Sequence, residues 1–172
     1  MNPKIKQADI TNQTTDAIVN AANSSLMGGG GVDGAIHSAA GPKLKEECEQ
    51  IREEEYPDGL PVGEAVITDG YNLDADYVIH TVGPRYSKDE DRDHKLKSAF
   101  EHSLQLAEEN NLSSISFPAI SAGAYGYPTG RVAEIARSVV EKFDFNNIET
   151  VVFCLFSQED YEVSADKFNN KL

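Results

Sequence analysis

Two uncharged, glycine-rich stretches carry the residues best suited to chemistry. The first, AIVNAANSSLMGGGGVDGAIH, removes the Cβ from four successive positions, Gly28 to Gly31, just before a helical pattern begins. Backbone of this kind can approach a ligand closely and turn its amides toward it. A helix N-terminus next to it adds donors suited to phosphate oxygens. A flexible surface loop has the same composition, so this stretch alone leaves both readings open. The second, SISFPAISAGAYGYPTG, spaces Ser121, Gly123 and Gly126 among small or aromatic residues. In an open α/β sheet ligands bind beyond the carboxyl ends of strands; placed there, the two stretches form halves of one anion cradle built from amides. Asp33 is one of two charges, with Asp16, between Thr11 and Pro42. At a helix start its carboxylate gains from the helix dipole, and beside such a cradle it could also act as a base on water. His37 follows one turn later on the same helical face and could pair with it.

Other familiar chemistries fit less well. Gly29, Gly31 and Gly34 satisfy the dinucleotide spacing, but several residues separate them from the strand, and the acids about 20 positions on, Glu53 to Glu55, fall in a helix instead of at a strand end. No glycine–lysine–serine/threonine run occurs, which excludes a P-loop hydrolase. Cys48 and Cys154 are far apart and form no disulfide framework. No His, Cys or acid cluster has the spacing of a metal site. His80 reads as a satisfied strand residue and Cys154 as core.

The elements that must position these residues alternate between strand and helix. Strands are predicted at Ile5–Ala8, Ala17–Ala21, Ala65–Thr68, Tyr77–Val82, Ile115–Pro118 and Val151–Phe156. Most are continuous apolar runs, as in a sheet covered on both faces. Helical stripes are predicted at Val32–Ala40, at Leu44, Cys48 and Ile51 after Pro42, at Leu96–Ala107, at Val132–Phe143 and, more weakly, over Gln158–Asn170. Such alternation gives layers of helix, sheet and helix. A chain of 172 residues without repeat or linker is the span of one domain, residues 1–172.

Charge and composition narrow the partners. With 29 acids against 15 Lys and Arg, the net charge of -14 disfavours DNA or RNA, whose binders carry a basic footprint. The acids concentrate at Glu46–Asp58, away from the two loops, and the cluster from Lys88 to Lys97 reads as a solvated loop entering a helix. No apolar run reaches membrane-span length, and MNPKIKQADI lacks a secretory h-region. A soluble, cytoplasmic, monomeric domain is the expectation.

Taken in order, Asp9-Ile10-Thr11, NAANSSLMGGGGVDGAIH, GEAVIT, YVIHTVGP and FPAISAGAYGYP closely resemble macrodomains of the MacroD type, from about Ile5 to Tyr161. The resemblance implies an α/β fold, a three-layer α/β/α sandwich with a mixed central sheet, and a pocket for ADP-ribose. Asp9 then accepts a hydrogen bond from the adenine amino group, with Ile10 beside it; read alone it is a turn or cap residue. Phe156 matches the aromatic that stacks on adenine; read alone it is a core residue. Ala22 and Asn23 belong to the pocket, with Asn23 contacting the distal ribose at the catalytic end, while Asn20 is expected to tie the loop together. Gly30, Gly31 and Val32 match the first diphosphate loop. Ser121, Ala122, Gly123, Ala124 and Tyr125 match the second, with Tyr125 closing over the distal ribose. Asp33 matches the aspartate associated with hydrolysis. Two departures, Ala8 and Ala122, stand where glycine and threonine are common, and the ending SADKFNNKL diverges.

The resemblance therefore implies a hydrolase of ADP-ribosyl esters on Asp or Glu side chains and of O-acetyl-ADP-ribose, with no cofactor and with mono-ADP-ribosylated proteins as partners. A reader that binds ADP-ribose without turnover is the rival. Either Asp33 or the ligand's own phosphate would activate the water.

Overall fold

The computed structural model describes residues 1–169, so Asn170 of the expected last helix lies outside the described residues. The order is β1 (Lys4–Gln7), β2 (Ala17–Ala21), α1 (Gly31–Ala40), α2 (Pro42–Glu54), β3 (Ala65–Asp69), β4 (Tyr77–Thr81), α3 (Asp93–Glu109), β5 (Ser114–Phe117), α4 (Thr129–Lys142), β6 (Thr150–Leu155) and α5 (Gln158–Asn169). One six-stranded sheet runs β1-β6-β5-β2-β4-β3. Every neighbouring pair is parallel except β3 with β4, which makes the sheet mixed.

Period-two alternation along the strands divides the core. Ala17, Val19, Ile79, Val151, Phe153 and Leu155 meet α3, α4 and α5 on one face. Ile18, Val78, Val152 and Cys154 meet α1 and α2 on the other. The sandwich is therefore α/β/α. β1 is an edge strand whose residues other than Ile5 are exposed, so it carries less apolar sequence than the central strands. α2 buries Leu44, Cys48 and Ile51 and leaves most of the acidic run on its solvent side. Gly41, at φ +88, turns the chain between α1 and α2, and Pro42 then opens α2. Phe143, expected inside the fourth helical stripe, instead caps it: α4 ends at Lys142, and Phe143 is extended, with its ring 4.9 Å from that of Phe145. Among the described residues no helix is long and apolar enough to cross a membrane.

The larger core half is organised by aromatic rings. Phe117 and Phe153 stack with centroids 5.5 Å apart, and Phe100 from α3 lies 5.3 Å from Phe117. Phe100 is fully buried. Its replacement by alanine leaves a cavity between helix and sheet, so Phe100→Ala should cost about 3–5 kcal/mol. Urea unfolding checks this: the midpoint should fall with the slope unchanged, and a loss under about 1 kcal/mol would contradict the packing described.

Candidate active site

Because five strands are parallel, their carboxyl ends share one edge of the sheet. Across that edge come, in order, the segment after β1 with Asp9, the end of β6 with Phe156, the loop after β5 with Ser121–Tyr125, the loop after β2 with Asn23–Asp33, and the loop after β4 from Val82 onward. Both glycine-rich stretches thus lie side by side where such sheets bind ligands. Asp9 and Phe156, 147 positions apart by number, become neighbours because β1 pairs with β6 in a register that sets Gln7 opposite Leu155.

The first loop presents a bare helix start. Gly30 is the N-cap of α1 and supplies no side-chain cap, leaving the first-turn amides facing outward. Gly31 sits at φ +57, a conformation costly for other residues. A Cβ at Gly30, Gly31 or Gly123 would meet nothing within 4 Å, so the space between the loops is open. Gly34 is required for packing, since a Cβ there would come within 2.4 Å of the Gly29 carbonyl. Asn23 uses its amide within the loop: Nδ2 donates to the Gly28 carbonyl at 3.1 Å, and Oδ1 accepts from the Ser25 amide at 3.0 Å. Ala22 is buried, and its amide donates to the Thr81 carbonyl at 2.9 Å.

Asp33 lies in the first turn of α1 and is only 5% exposed. Its Oδ1 accepts a hydrogen bond from Asn20 Nδ2 at 2.8 Å. A Cβ built on Gly29 would stand 3.3 Å from Asp33 Oδ2 and 3.4 Å from Asn23 Nδ2, so both groups border that one position. Asn20, expected to tie the loop, instead anchors the acid. The same Nδ2 donates to His80 Nδ1 at 3.1 Å. His80 Nδ1 is then the acceptor nitrogen, and Nε2–H donates to Thr68 Oγ1 at 2.9 Å. β2 and β4 pair Asn20 directly opposite His80, which is why the contact forms. His37 Nε2 is 3.4 Å from Asp33 Oδ1, close enough for an ion pair, but it makes no hydrogen bond.

In the second loop Ser121 adopts φ +68 and is buried, with Oγ against Gly83, where a Cβ would come within 2.2 Å of it. The loop closes on itself through the Gly126 amide to the Gly123 carbonyl, 3.0 Å, and the Tyr127 amide to the Ser121 carbonyl, 2.9 Å. The Ala122 amide donates to the Ala119 carbonyl, whereas Gly123 and Ala124 are exposed at the tip. Tyr125 is half-buried under the Arg85 guanidinium, 4.9 Å from the ring centroid. At the far end of the edge, exposed Asp9 accepts from the Thr11 amide at 2.9 Å as the cap of a single 3-10 turn whose Ile10 is buried. Phe156 is no core residue: it is 80% exposed, just past the end of β6.

His37, Cys48 and His80 form a trio whose ligand atoms lie within 4.8 Å of one another. They come from α1, α2 and β4, so linear spacing could not reveal them. Burial, then the charges of Glu47, Asp33 and Glu49, pushes the Cys48 thiol up to about 12. Both His80 nitrogens are already hydrogen-bonded. Cys154 is buried in β6, and its thiol is raised to about 11, chiefly by burial.

A family model, the Macro domain, matches residues 19–136. The chain belongs to this family. A macro domain-containing protein of Caldanaerobacter subterraneus subsp. tengcongensis is 53% identical over 172 residues, covering 98% of this chain and 97% of that protein. A Pantoea vagans protein named O-acetyl-ADP-ribose deacetylase 1 is 49% identical over 166 residues, covering 95% and 96%. Among solved structures, an Oceanobacillus iheyensis macrodomain variant described with ADPR superposes with a TM-score of 0.91 at 45% identity, covering 95% of this chain and 89% of that one.

In this macrodomain the residues that sequence reasoning undervalued are Asn20, Thr68 and His80, which form the support beneath Asp33. The one available signal was an asparagine and a histidine interrupting apolar central strands, where a buried polar group needs a partner. Burial, then the neighbouring His37, lowers the His80 pKa from 6.5 to about 3. An unfolded chain takes up this proton as pH falls through about 6.5, whereas the folded protein refuses it down to about 3. Stability from this group is therefore complete above pH 6.5 and is lost progressively below it. Between pH 7 and pH 5, wild type should lose about 2 kcal/mol more stability than His80→Gln. Urea midpoints of both proteins at the two pH values provide the check; parallel losses would show that His80 is not held neutral.

Proposed function

We propose that this macrodomain binds ADP-ribose along its sheet edge and hydrolyses ADP-ribosyl esters, releasing ADP-ribose from modified Asp or Glu side chains and removing acetate from O-acetyl-ADP-ribose. The observation that carries the reading is a buried carboxylate, Asp33, bonded through one oxygen to Asn20, with the other bordering Gly29 and Asn23 in the first glycine loop. The name of the Pantoea vagans relative supports the acetyl-ester branch.

The ligand's parts follow the edge. Adenine stacks on Phe156 and donates its amino group to Asp9. The diphosphate takes amides from Gly30, Gly31 and Val32 on one side and from the Ser121–Tyr125 loop on the other, Ala122 excepted because its amide already donates to the Ala119 carbonyl. The distal ribose lies between Asn23, Ala22 and Tyr125, so its ester reaches Asp33. Water held there attacks the acyl carbon; its proton passes to the base, the acyl–oxygen bond to the ribose breaks, and the ribose oxygen leaves as a hydroxyl. Asp33 acts as base, or it orients the ribose while a ligand phosphate holds the water. In both routes amides fixed before binding hold the reacting end near the water.

Asp33→Ala should retain ADP-ribose binding and lose about 10²–10⁴-fold in turnover of an ester-linked substrate. If wild type and variant both bind ADP-ribose in calorimetry and neither cleaves the ester, the protein is a reader. Phe156→Ala should weaken ADP-ribose binding by about 1–3 kcal/mol, the scale of base–aromatic stacking. Unchanged affinity would remove Phe156 from the site.

A further inference from the structure

We propose that the cavity beside the catalytic end binds the acceptor polypeptide and favours acidic residues flanking the ADP-ribosylated side chain. This rests on the foregoing reading for the position of the distal ribose. The cavity, about 980 Å3, is lined by Asn23 and Tyr125, the ribose neighbours in that reading, together with Arg85, Arg92, His94 and Lys95. Val62, Val82 and Pro84 give it an apolar portion. It is built by the loop after β4, the last of the five parallel strands, and so continues the order of the edge beyond the ribose.

Its charge departs from that of the protein. In a protein of net charge -14, the lining sets Arg85, Arg92 and Lys95 against Glu90 and Asp91, and several other cations are matched locally: Arg131 with Asp93, Lys97 with Glu101, Lys167 with Glu134 and Arg137 with Glu141. Of the two acids lining the cavity, Glu90 is paired, whereas Asp91 keeps its charge at the start of a helix. Glu90 Oε2 accepts from Arg92 at 2.9 Å, and Asp91 Oδ1 accepts the Asp93 amide at 2.9 Å where α3 starts. Arg85 and Lys95 are exposed and have no ion-pair partner among the described residues. Arg85 is held in place: its ring neighbour is Tyr125, and its carbonyl accepts from Arg92 Nη1 at 3.2 Å. The Tyr86 amide donates to the Tyr125 carbonyl at 2.8 Å, joining this wall to the second glycine loop. Two unmatched cations beside an apolar surface fit a polypeptide whose main chain crosses the apolar part while neighbouring carboxylates reach Arg85 and Lys95. Acetate, being small, gains nothing from them.

The test uses peptides of one length carrying a single ADP-ribose through a hydrolysis-resistant linkage, with Glu, Gln or Lys on either side, titrated into the full chain by calorimetry. The Glu-flanked peptide should bind about fivefold more tightly than the Gln-flanked one, as two exposed ion pairs of ordinary strength would give. The advantage should vanish near 1 M salt, where the screening length is about 3 Å. Lys95→Glu should reverse the preference and leave the affinity for free ADP-ribose as in wild type; Arg85→Gln should reduce the preference. Both substitutions are on exposed side chains, so folding is not at stake. Equal affinity for acidic and neutral flanks in wild type overturns the proposal, as does a preference that survives both substitutions combined. A linked pair of ADP-ribose units that gains affinity through Arg85 and Lys95 while acidic flanks do not would assign the cavity to a second nucleotide and overturn it as well. Failure to bind ADP-ribose defeats both this inference and its parent, whereas a flank preference without ester turnover defeats only the hydrolase reading.

Discussion

A carboxylate taken almost wholly out of water is expensive unless hydrogen bonds replace its hydration, and the arrangement of this site follows from how that cost is met for Asp33. The N-terminal turn of α1 supplies a favourable dipole, and Asn20 supplies a direct donor. The second hydrogen of the same amide nitrogen is accepted by His80 Nδ1, which favours the orientation that points this nitrogen at the acid. A protonated His80 would place a donor there and turn the pair repulsive. The deep burial that holds His80 neutral is therefore part of how Asp33 is oriented, and the neutral tautomer is completed by Thr68 on β3. The antiparallel edge strand, remote from the ligand loops in sequence, thus takes part in positioning the acid.

The same economy explains how an acidic protein can hold an anion. Coulomb repulsion from exposed carboxylates is weakened by water and salt beyond about 8–10 Å, and the acidic run of α2 lies on that helix's solvent side. Close to the ligand, the partial charges of backbone amides dominate, because they act over hydrogen-bond distances. Glycine makes this workable: with open space in front of Gly30, Gly31 and Gly123, an anion can come into contact with main chain that side chains would otherwise shield. Net charge thus opposes an extended polyanion, which must cross the whole surface, far more than a diphosphate, which meets only the loops.

Legibility in the sequence divides along physical lines. Strand and helix periodicity reports burial, and the three layers follow from it; the glycine runs report backbone exposure, and both loops could be located from them. Partner choice across the sheet is another matter. Nothing local in Asn20 distinguishes a residue that ties a loop from one that faces His80, because that depends on the register of β2 against β4. Asn23 shows the converse: its amide serves the loop that Asn20 was expected to serve, while its Nδ2 still borders the space near Asp33. The trio of His37, Cys48 and His80 was hidden for the same reason, being drawn from three elements. Phe156 was ambiguous between core and ligand until the end of β6 was placed at the ligand edge, where an exposed ring is costly unless something covers it.

Strand order also decides which parts of the site can change independently. The β1–β6 pair carries Asp9 and Phe156, the β5–β2 pair carries both amide loops and Asp33, and β4 carries the cationic wall. Each section rests mainly on its own strands, but the sections are joined: His80 of β4 supports Asp33 through Asn20, and Ser121 Oγ packs against Gly83 of the loop after β4. Tyr86 and Arg85 add to this, the Tyr86 amide donating to the Tyr125 carbonyl and the Arg85 guanidinium lying over the Tyr125 ring, so the β4 loop is tied to the β5 loop. Coupling between the β4 and β5 loops is thus concentrated at Tyr125, so a substitution after β4 that displaced Arg85 or Tyr86 would be felt in the second glycine loop.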